Sequence, residues 1–379
     1  MYLYQKTNRY FAQIAPGLED LGAEELTEKA AGEVRTAYGG VYFRAEKAAL
    51  YRINYTCRII TRVLAPLSQF RCPDDGALYE NAKRIRWSDF FGVENTFAVF
   101  STVSNSKINH SQFASLRLKD AVADCFREKE GKRPNVDPLV PDVWINLHIE
   151  NDVATVSLDT SGGSLHRRGY RKETVEAPMQ ETIAAAVIRM TGWDGSTPLY
   201  DPLAGSGTLL CEALMHFSRI PSGFLRKRFG FAFLPDFAPD IWESEKEKAD
   251  RQIRALPERL IGGSDVSDQA VAAMRSNLAR LPGGESVGCA LRDFKEIPEL
   301  ENRTIVTNPP YGIRLEAGAD LDPFYRGLGD FLKQRCRGSN AYIYFGNRRW
   351  IKSLGLKPSW KKPIPMGGLD GRLVKYALY

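Results

Sequence analysis

Residues Pro198–Phe217 read PLYDPLAGSGTLLCEALMHF, and the fold turns on this run. A short apolar stretch ends at Asp201. A tight turn carries Gly205 and Gly207, and a helical pattern, LLCEALMHF, follows at once. Strand, glycine turn and helix in that order are the start of a βαβ unit. The same alternation continues downstream. RLIGGSD (259–265) reads as a strand, DQAVAAMRSNLARL (268–281) as a helix and SVGCALRDF (286–294) as a strand. RTIVTNPPYG (303–312) is a strand running into a loop, LDPFYRGLGDFLKQRC (321–336) a helix, NAYIYFG (340–346) a strand and RLVKYALY (372–379) a terminal strand. Such alternation predicts a parallel sheet wound with right-handed crossovers.

Upstream the pattern differs. From Met1 to about Ser164 short strands and helices mix without a glycine-rich loop. RYFAQIA, GGVYFRA and TFAVFSTVS read as strands; GLEDLGAEELTEKA, DGALYENAKRIRWSDFF and HSQFASLRLKDAVADCFREKEG read as helices. KAALYRINYTCRIITRVLAPLSQF reads as a helix running into a strand. Asp74 or Asp75 is placed to open the second of the three helices, and VWINLHIENDVATVSLDTSG predicts a hairpin turning at Asn151-Asp152. This is α+β organisation: a small sheet with helices on it. A Gly-rich, then basic linker, GGSLHRRGYRKETVEAPM, leads to the helix QETIAAAVIRMTGW, ending near Gly192.

The chain has 379 residues, 43% hydrophobic and 26% charged, with net charge +6 and pI about 8.9. Mild basicity permits a polyanionic partner without demanding one. The excess lies in clusters: KRIR (83–86), HRRGYRK (166–172), LRKR (225–228) and NRRWIK (347–352), interleaved with Tyr170, Phe224, Phe229 and Trp350. Each alone fits a solvated face; together they favour nucleic acid. The six cysteines form no C-x-x-C pair and have no His at zinc-ligand spacing, so no metal is expected. The start is too polar for a signal peptide and no run is apolar enough to span a membrane, so a cytoplasmic location is expected.

Four stretches carry chemistry. In DPLAGSGT, Gly205 and Gly207 let a ligand approach the backbone, and the N–H groups of the helix start favour an anion; a plain strand-to-helix connection is the alternative. No Lys follows the glycines, against a phosphate loop, and the third glycine of a dinucleotide fingerprint is missing. Asp265 is placed to accept a ribose, or else to cap the next helix. It lies far beyond the usual spacing because FSRIPSGFLRKRFGFAFLPDFAPDIWES (217–244) reads as an insertion. Asp293 is placed to accept from an adenine amine, or is an ordinary loop carboxylate. In TNPPYG, Pro309 and Pro310 end a strand rigidly and donate no N–H. The Asn308 amide oxygen and the Pro309 carbonyl can take the two hydrogens of an exocyclic amine, with Tyr311 as a stacking face. A capped strand end is the other reading.

These motifs resemble those of class I S-adenosylmethionine-dependent amino-methyltransferases. The Asn-Pro-Pro-Tyr signature is shared with adenine-N6 and glutamine-N5 enzymes. HRRGYR, EAPMQETIAAAVI (176–188) and INHSQFASLRLKDAVADCFREK (108–129) narrow the resemblance to THUMP-containing RNA guanine-N2 methyltransferases, in particular the bacterial 23S rRNA group. The resemblance covers essentially the whole chain. It implies an α/β fold: a C-terminal Rossmann-like, seven-stranded class I methyltransferase sheet behind an N-terminal α+β ferredoxin-like/THUMP region. It implies domains at 1–60 (ferredoxin-like), 61–164 (THUMP) and 165–379 (methyltransferase, with 165–197 as linker and leading helix). S-adenosyl-L-methionine would be held by Asp201, Pro202, Gly205, Gly207, Thr208, Asp265, Asp293 and Asn308. Catalysis would fall to Asn308, Pro309, Pro310 and Tyr311. Structured RNA would meet Arg167, Arg168, Tyr170, Arg171, Lys172, Arg226, Lys227 and Arg228. The expected substrate is 23S rRNA, with tRNA the near alternative; a DNA adenine-N6 enzyme and a non-catalytic RNA-binding protein are more distant ones. Fused members of the group carry a second methyltransferase domain, and none is expected after Tyr379.

Overall fold

The computed structural model describes residues 1–172, 179–310 and 321–379. It divides into two compact units. The first comprises Met1–Ile14, Gly22–Leu165 and Arg226–Glu247; the second comprises Ala15–Leu21, His166–Leu225 and Lys248–Tyr379.

The front half runs α1 (Leu3–Thr7), β1 (Arg9–Gln13), α2 (Glu19–Glu28), β2 (Gly32–Ala37), β3 (Gly40–Arg44), α3 (Lys47–Thr56) and β4 (Arg62–Arg71). It continues through α4 (Asp75–Lys83), β5 (Thr96–Ser104), α5 (Ser111–Glu130), β6 (Asn135–Val136), β7 (Val143–Glu150) and β8 (Val153–Asp159). The strands form one eight-stranded sheet in the order β2-β3-β1-β4-β8-β7-β5-β6. The expected boundary between 60 and 61 falls just before β4, whose edges pair with β1 and β8, so one sheet runs through both expected regions. Asp74 is the cap of α4: its carboxylate accepts the Ala77 N–H at 2.7 Å. Asn151 and Asp152 take φ of 51° and 58° at the β7–β8 turn, as a tight hairpin requires. Val143, Ile145, Leu147 and Ile149 of β7 are buried at every second position. β2 was not anticipated, because its residues are mostly exposed and show no alternation.

The second half runs α6 (Glu181–Thr191), β9 (Leu199–Asp201), α7 (Thr208–Phe217), α8 (Pro239–Asp250), β10 (Ile261–Asp265), α9 (Asp268–Leu278) and β11 (Gly288–Leu291). Then come β12 (Thr304–Thr307), α10 (Asp322–Arg335), β13 (Asn340–Phe345), α11 (Trp350–Ser353), β14 (Trp360–Pro363) and β15 (Arg372–Ala377). The sheet has seven strands in the order β11-β10-β9-β12-β13-β15-β14. The pairs from β11 through β13 are parallel; β15 is antiparallel to both β13 and β14. β14 and the insertion of β15 between β13 and β14 left no mark in the sequence pattern. Ile305, Ile343, Val374 and Tyr376 of the sheet share one apolar core with Tyr325, Leu328 and Phe331 of α10 and with Trp350 and Ile351 of α11. No helix among the described residues is long and apolar enough to cross a membrane.

The insertion after α7 has a definite home. Most of it, within Arg226–Glu247, belongs to the first unit. Phe231 and Phe237 pack on Tyr51 of α3, while Phe229 and Trp242 pack edge-on against Tyr55. The Tyr51 hydroxyl accepts the Ala238 N–H at 3.0 Å, and Arg52 donates to the buried Glu245 at 2.7 Å. The aromatic residues of the insertion form this packing surface.

Candidate active site

In the second unit the strand order places β11, β10, β9 and β12 side by side. The chain order reverses at β9, whose neighbours are β10 and β12. Ligands of open α/β sheets sit outside the carboxyl ends of the strands at such a switch point. Asp201 ends β9, Asp265 ends β10, Asp293 follows β11 and Asn308 follows β12. Four positions chosen from separate motifs therefore stand along one edge of the sheet.

The turn after β9 is braced rather than open. Asp201 is 1% exposed, and its Oδ1 accepts the Leu203 N–H at 3.0 Å. Pro202 is buried beside it. The Gly205 N–H donates to Asp265 Oδ2 at 2.8 Å and the Gly207 N–H to the Ala204 carbonyl at 2.8 Å. Gly207 has φ of 80°, and a Cβ there would lie 2.7 Å from Met274 Cγ, so any side chain at this position is strained. Asp265 does not cap α9; Ser267 does, its Oγ accepting the Ala270 N–H, and Asp265 Oδ1 accepts the Ser267 N–H. The Asp265 carboxylate thus links the glycine turn to the start of α9. Asp293 caps the short helical turn Phe294–Glu296, with Oδ1 accepting the Lys295 N–H at 3.0 Å.

Sequence reasoning missed Asn277. It is 1% exposed on α9; its Nδ2 donates to the Ser206 carbonyl at 3.0 Å and its Oδ1 accepts the Lys172 N–H at 2.9 Å. It ties the glycine turn to the basic segment that precedes α6. An Asn on the inward face of a helix, where apolar residues were expected, was the available signal.

Asn308 is 7% exposed, and its Oδ1 meets no donor among the described residues. A buried amide oxygen without a donor is costly, and this one is open to accept a hydrogen bond. Thr307 Oγ1 next to it is also buried and unpaired among the described residues. Pro309 is buried and Pro310 half-buried. Tyr311 lies outside the described residues. The site so built offers a hard acceptor on a rigid turn, in the second unit, at the carboxyl edge of the sheet. Among the described residues no cluster of His, Cys, Asp and Glu is arranged to hold a metal ion.

The basic clusters need correction. Arg168 is 1% exposed, and its Nε lies 3.4 Å from Glu212 Oε1 on α7. Tyr170 is also 1% exposed and donates to the same oxygen at 3.1 Å. Burial, with the carboxylate of Glu212 nearby, holds the Tyr170 phenol well above its ordinary pKa. Arg171 donates to Glu181 at 3.0 Å, and to the Met179 carbonyl and Thr208 Oγ1 at 3.1 Å each. Arg226, in the first unit, donates to the carbonyls of Ser161, Gly162, Gly163 and Ser164. Arg168 and Tyr170 are buried, so they do not lie against RNA phosphates, while the half-buried Arg171 and Arg226 are engaged with the protein itself. The same bond engages Thr208, expected beside the cofactor, with Arg171. Arg167, Lys172, Lys227 and Arg228 are exposed; Arg228 pairs with Asp142 at 2.7 Å.

Comparison with known proteins gives three family matches. Residues 168–375 match the RMKL-like methyltransferase domain, 74–159 the THUMP domain and 9–64 the RlmL ferredoxin-like domain. The protein slr0064 of Synechocystis sp. is 39% identical over 98% of this chain and 97% of its own length. The ribosomal RNA large subunit methyltransferase K/L of Syntrophotalea carbinolica is 37% identical over 97% of this chain and 53% of its own length. The chain thus spans about half the length of the K/L relatives it matches. Among solved structures, SMU.472, crystallised with SAH (S-adenosylhomocysteine), superposes with a TM-score of 0.85 at 24% identity over 98% of each chain.

Proposed function

Since this chain belongs to the family that joins an RMKL-like methyltransferase domain to THUMP and RlmL ferredoxin-like domains, we propose that it transfers a methyl group from S-adenosyl-L-methionine to the exocyclic N2 amine of a guanine in 23S rRNA. One observation carries the chemistry: the buried Oδ1 of Asn308, which meets no donor among the described residues, on a turn stiffened by Pro309 and Pro310. The carboxylates of Asp201, Asp265 and Asp293 along the same sheet edge, with the glycine turn beside them, suit a cofactor with an amino-acid end, a ribose and an adenine. When bound, that cofactor supplies an electrophilic methyl group on sulfur.

The chain's own part is orientation. Asn308 Oδ1 accepts one amine hydrogen and the Pro309 carbonyl the other. Held between two acceptors, the guanine nitrogen is drawn out of conjugation, and its lone pair is aimed along a fixed line. This is catalysis by positioning and preorganised dipoles. No strong base is needed, because the nitrogen sheds its proton after it becomes cationic. The base must leave its stack to reach Asn308, at a cost of about a few kcal/mol. The THUMP region grips structured RNA by shape and phosphate contacts, with Arg167, Lys172 and Lys227 as candidate contacts from the basic clusters.

The test is methyl transfer to protein-free 23S rRNA, read by nucleoside mass spectrometry, with bulk tRNA as the parallel substrate. N2-methylguanosine should form in the rRNA. Asn308→Ala should abolish it while cofactor affinity by calorimetry stays within a few-fold. Unchanged turnover of Asn308→Ala would remove this residue from the chemistry; product only in tRNA would move the substrate, and methyladenosine would replace the guanine reading.

A further inference from the structure

The turn after β12 contains a proline whose ψ no following proline restrains. Pro309 and Pro310 have φ locked by their rings. Asn308 and Pro309 each precede a proline, which confines their ψ to the extended range. Pro310 precedes Tyr311, so its ψ lacks the restraint that a following proline places on Asn308 and Pro309. The structure shows what holds it. The Tyr325 hydroxyl, on the first turn of α10, donates to the Pro310 carbonyl at 2.8 Å.

That phenol is itself fixed. Tyr325 is fully buried, stacked 5.3 Å from the Trp350 ring at 12° and 5.7 Å from the Phe345 ring at 25°. Phe345 ends β13 and Trp350 opens α11. The hydroxyl therefore reaches Pro310 from a scaffold made of three elements. We propose that Tyr325 is a positioning residue for methyl transfer: it fixes the Pro310 peptide plane, which sets the Asn308–Pro309 acceptor pair in register and occupies the neighbouring carbonyl that would otherwise compete for the amine. This rests on the reading of Asn308 as the amine acceptor. Side-chain geometry held by such supports matters steeply, since a misplacement of about 1 Å costs roughly a hundredfold in rate.

Tyr325→Phe is the test, because it keeps both ring stacks and removes only the hydroxyl. Expected for the full chain are a melting temperature within about 5 °C of the parent and cofactor affinity within about threefold. The kcat for methyl transfer to 23S rRNA should fall roughly ten- to a hundredfold, with KM for the RNA little changed. A kcat within about twofold of the parent, while Asn308→Ala is inactive, would overturn the role of Tyr325 and leave the acceptor reading intact. If Asn308→Ala is itself active, the underlying reading fails instead. A parallel collapse of melting temperature and cofactor affinity in Tyr325→Phe would also overturn the proposal, by making the hydroxyl a structural brace of the whole sheet edge.

Discussion

Arg168→Met separates a structural arginine from an RNA-binding one. Arg168 and Glu212 are 1% and 0% exposed, and Tyr170 shares the same carboxylate oxygen. Solvent screens neither charge, so the small worth of surface pairs does not apply. Removing the cation leaves Glu212 buried beside a hydrocarbon. Breaking a buried pair in this way costs about 3–5 kcal/mol. For a unit of this size that corresponds to a drop in melting temperature of about 6–20 °C. Replacing both partners, as in Arg168→Met with Glu212→Leu, should recover part of the loss, because an apolar pair of similar volume is often neutral while the buried Tyr170 hydroxyl loses this acceptor. The assay is thermal unfolding of the full chain, followed by circular dichroism, for the parent, the two single variants and the double variant. RNA affinity would be measured across a salt series alongside. The reasoning is refuted if Arg168→Met melts within about 2 °C of the parent and instead lowers the salt slope of RNA binding by about one, the signature of one lost phosphate contact.

Other consequences follow from the packing. Deleting residues 1–165 should strand Phe229, Phe231 and Trp242, which pack on Tyr51 and Tyr55 in the intact chain; each exposed Phe forfeits about 1.5–3 kcal/mol of burial. The shortened chain should aggregate or bind a hydrophobic dye, and a monodisperse, cooperatively melting product would contradict the assignment of Arg226–Glu247 to the first unit. Alkaline pH should destabilise the second unit. Burial raises the folded pKa of Tyr170 and of the Cys211 thiol; their contribution is complete below the unfolded values of about 10 and 8.5 and falls as pH rises past them. Chemical denaturation at pH 7, 9 and 10.5 should show this decline, shallower above pH 10 in Tyr170→Phe, and an equal slope in that variant would exclude Tyr170 as a source.

The sequence by itself determined the class of each half, and the reason is local. Asp74 caps a helix, Asn151-Asp152 turns a hairpin and Gly207 opens α7 because each satisfies a backbone requirement within three or four residues. The stiffness of the turn after β12 was legible for the same reason: two prolines and an asparagine after a strand carry their rigidity in their own covalent structure. Tertiary structure alone decided which charges face inward. Arg168 meets its carboxylate 44 residues away, and Arg226 meets carbonyls 62 to 65 residues away, so no window of sequence distinguishes them from the exposed Arg167 and Lys227. The same holds for the insertion, whose aromatic side chains find α3, and for Tyr325, whose hydroxyl returns to Pro310 only after α10 has docked on the sheet. Burial and long-range pairing depend on what the folded chain brings alongside a residue, and its immediate neighbours do not carry that information.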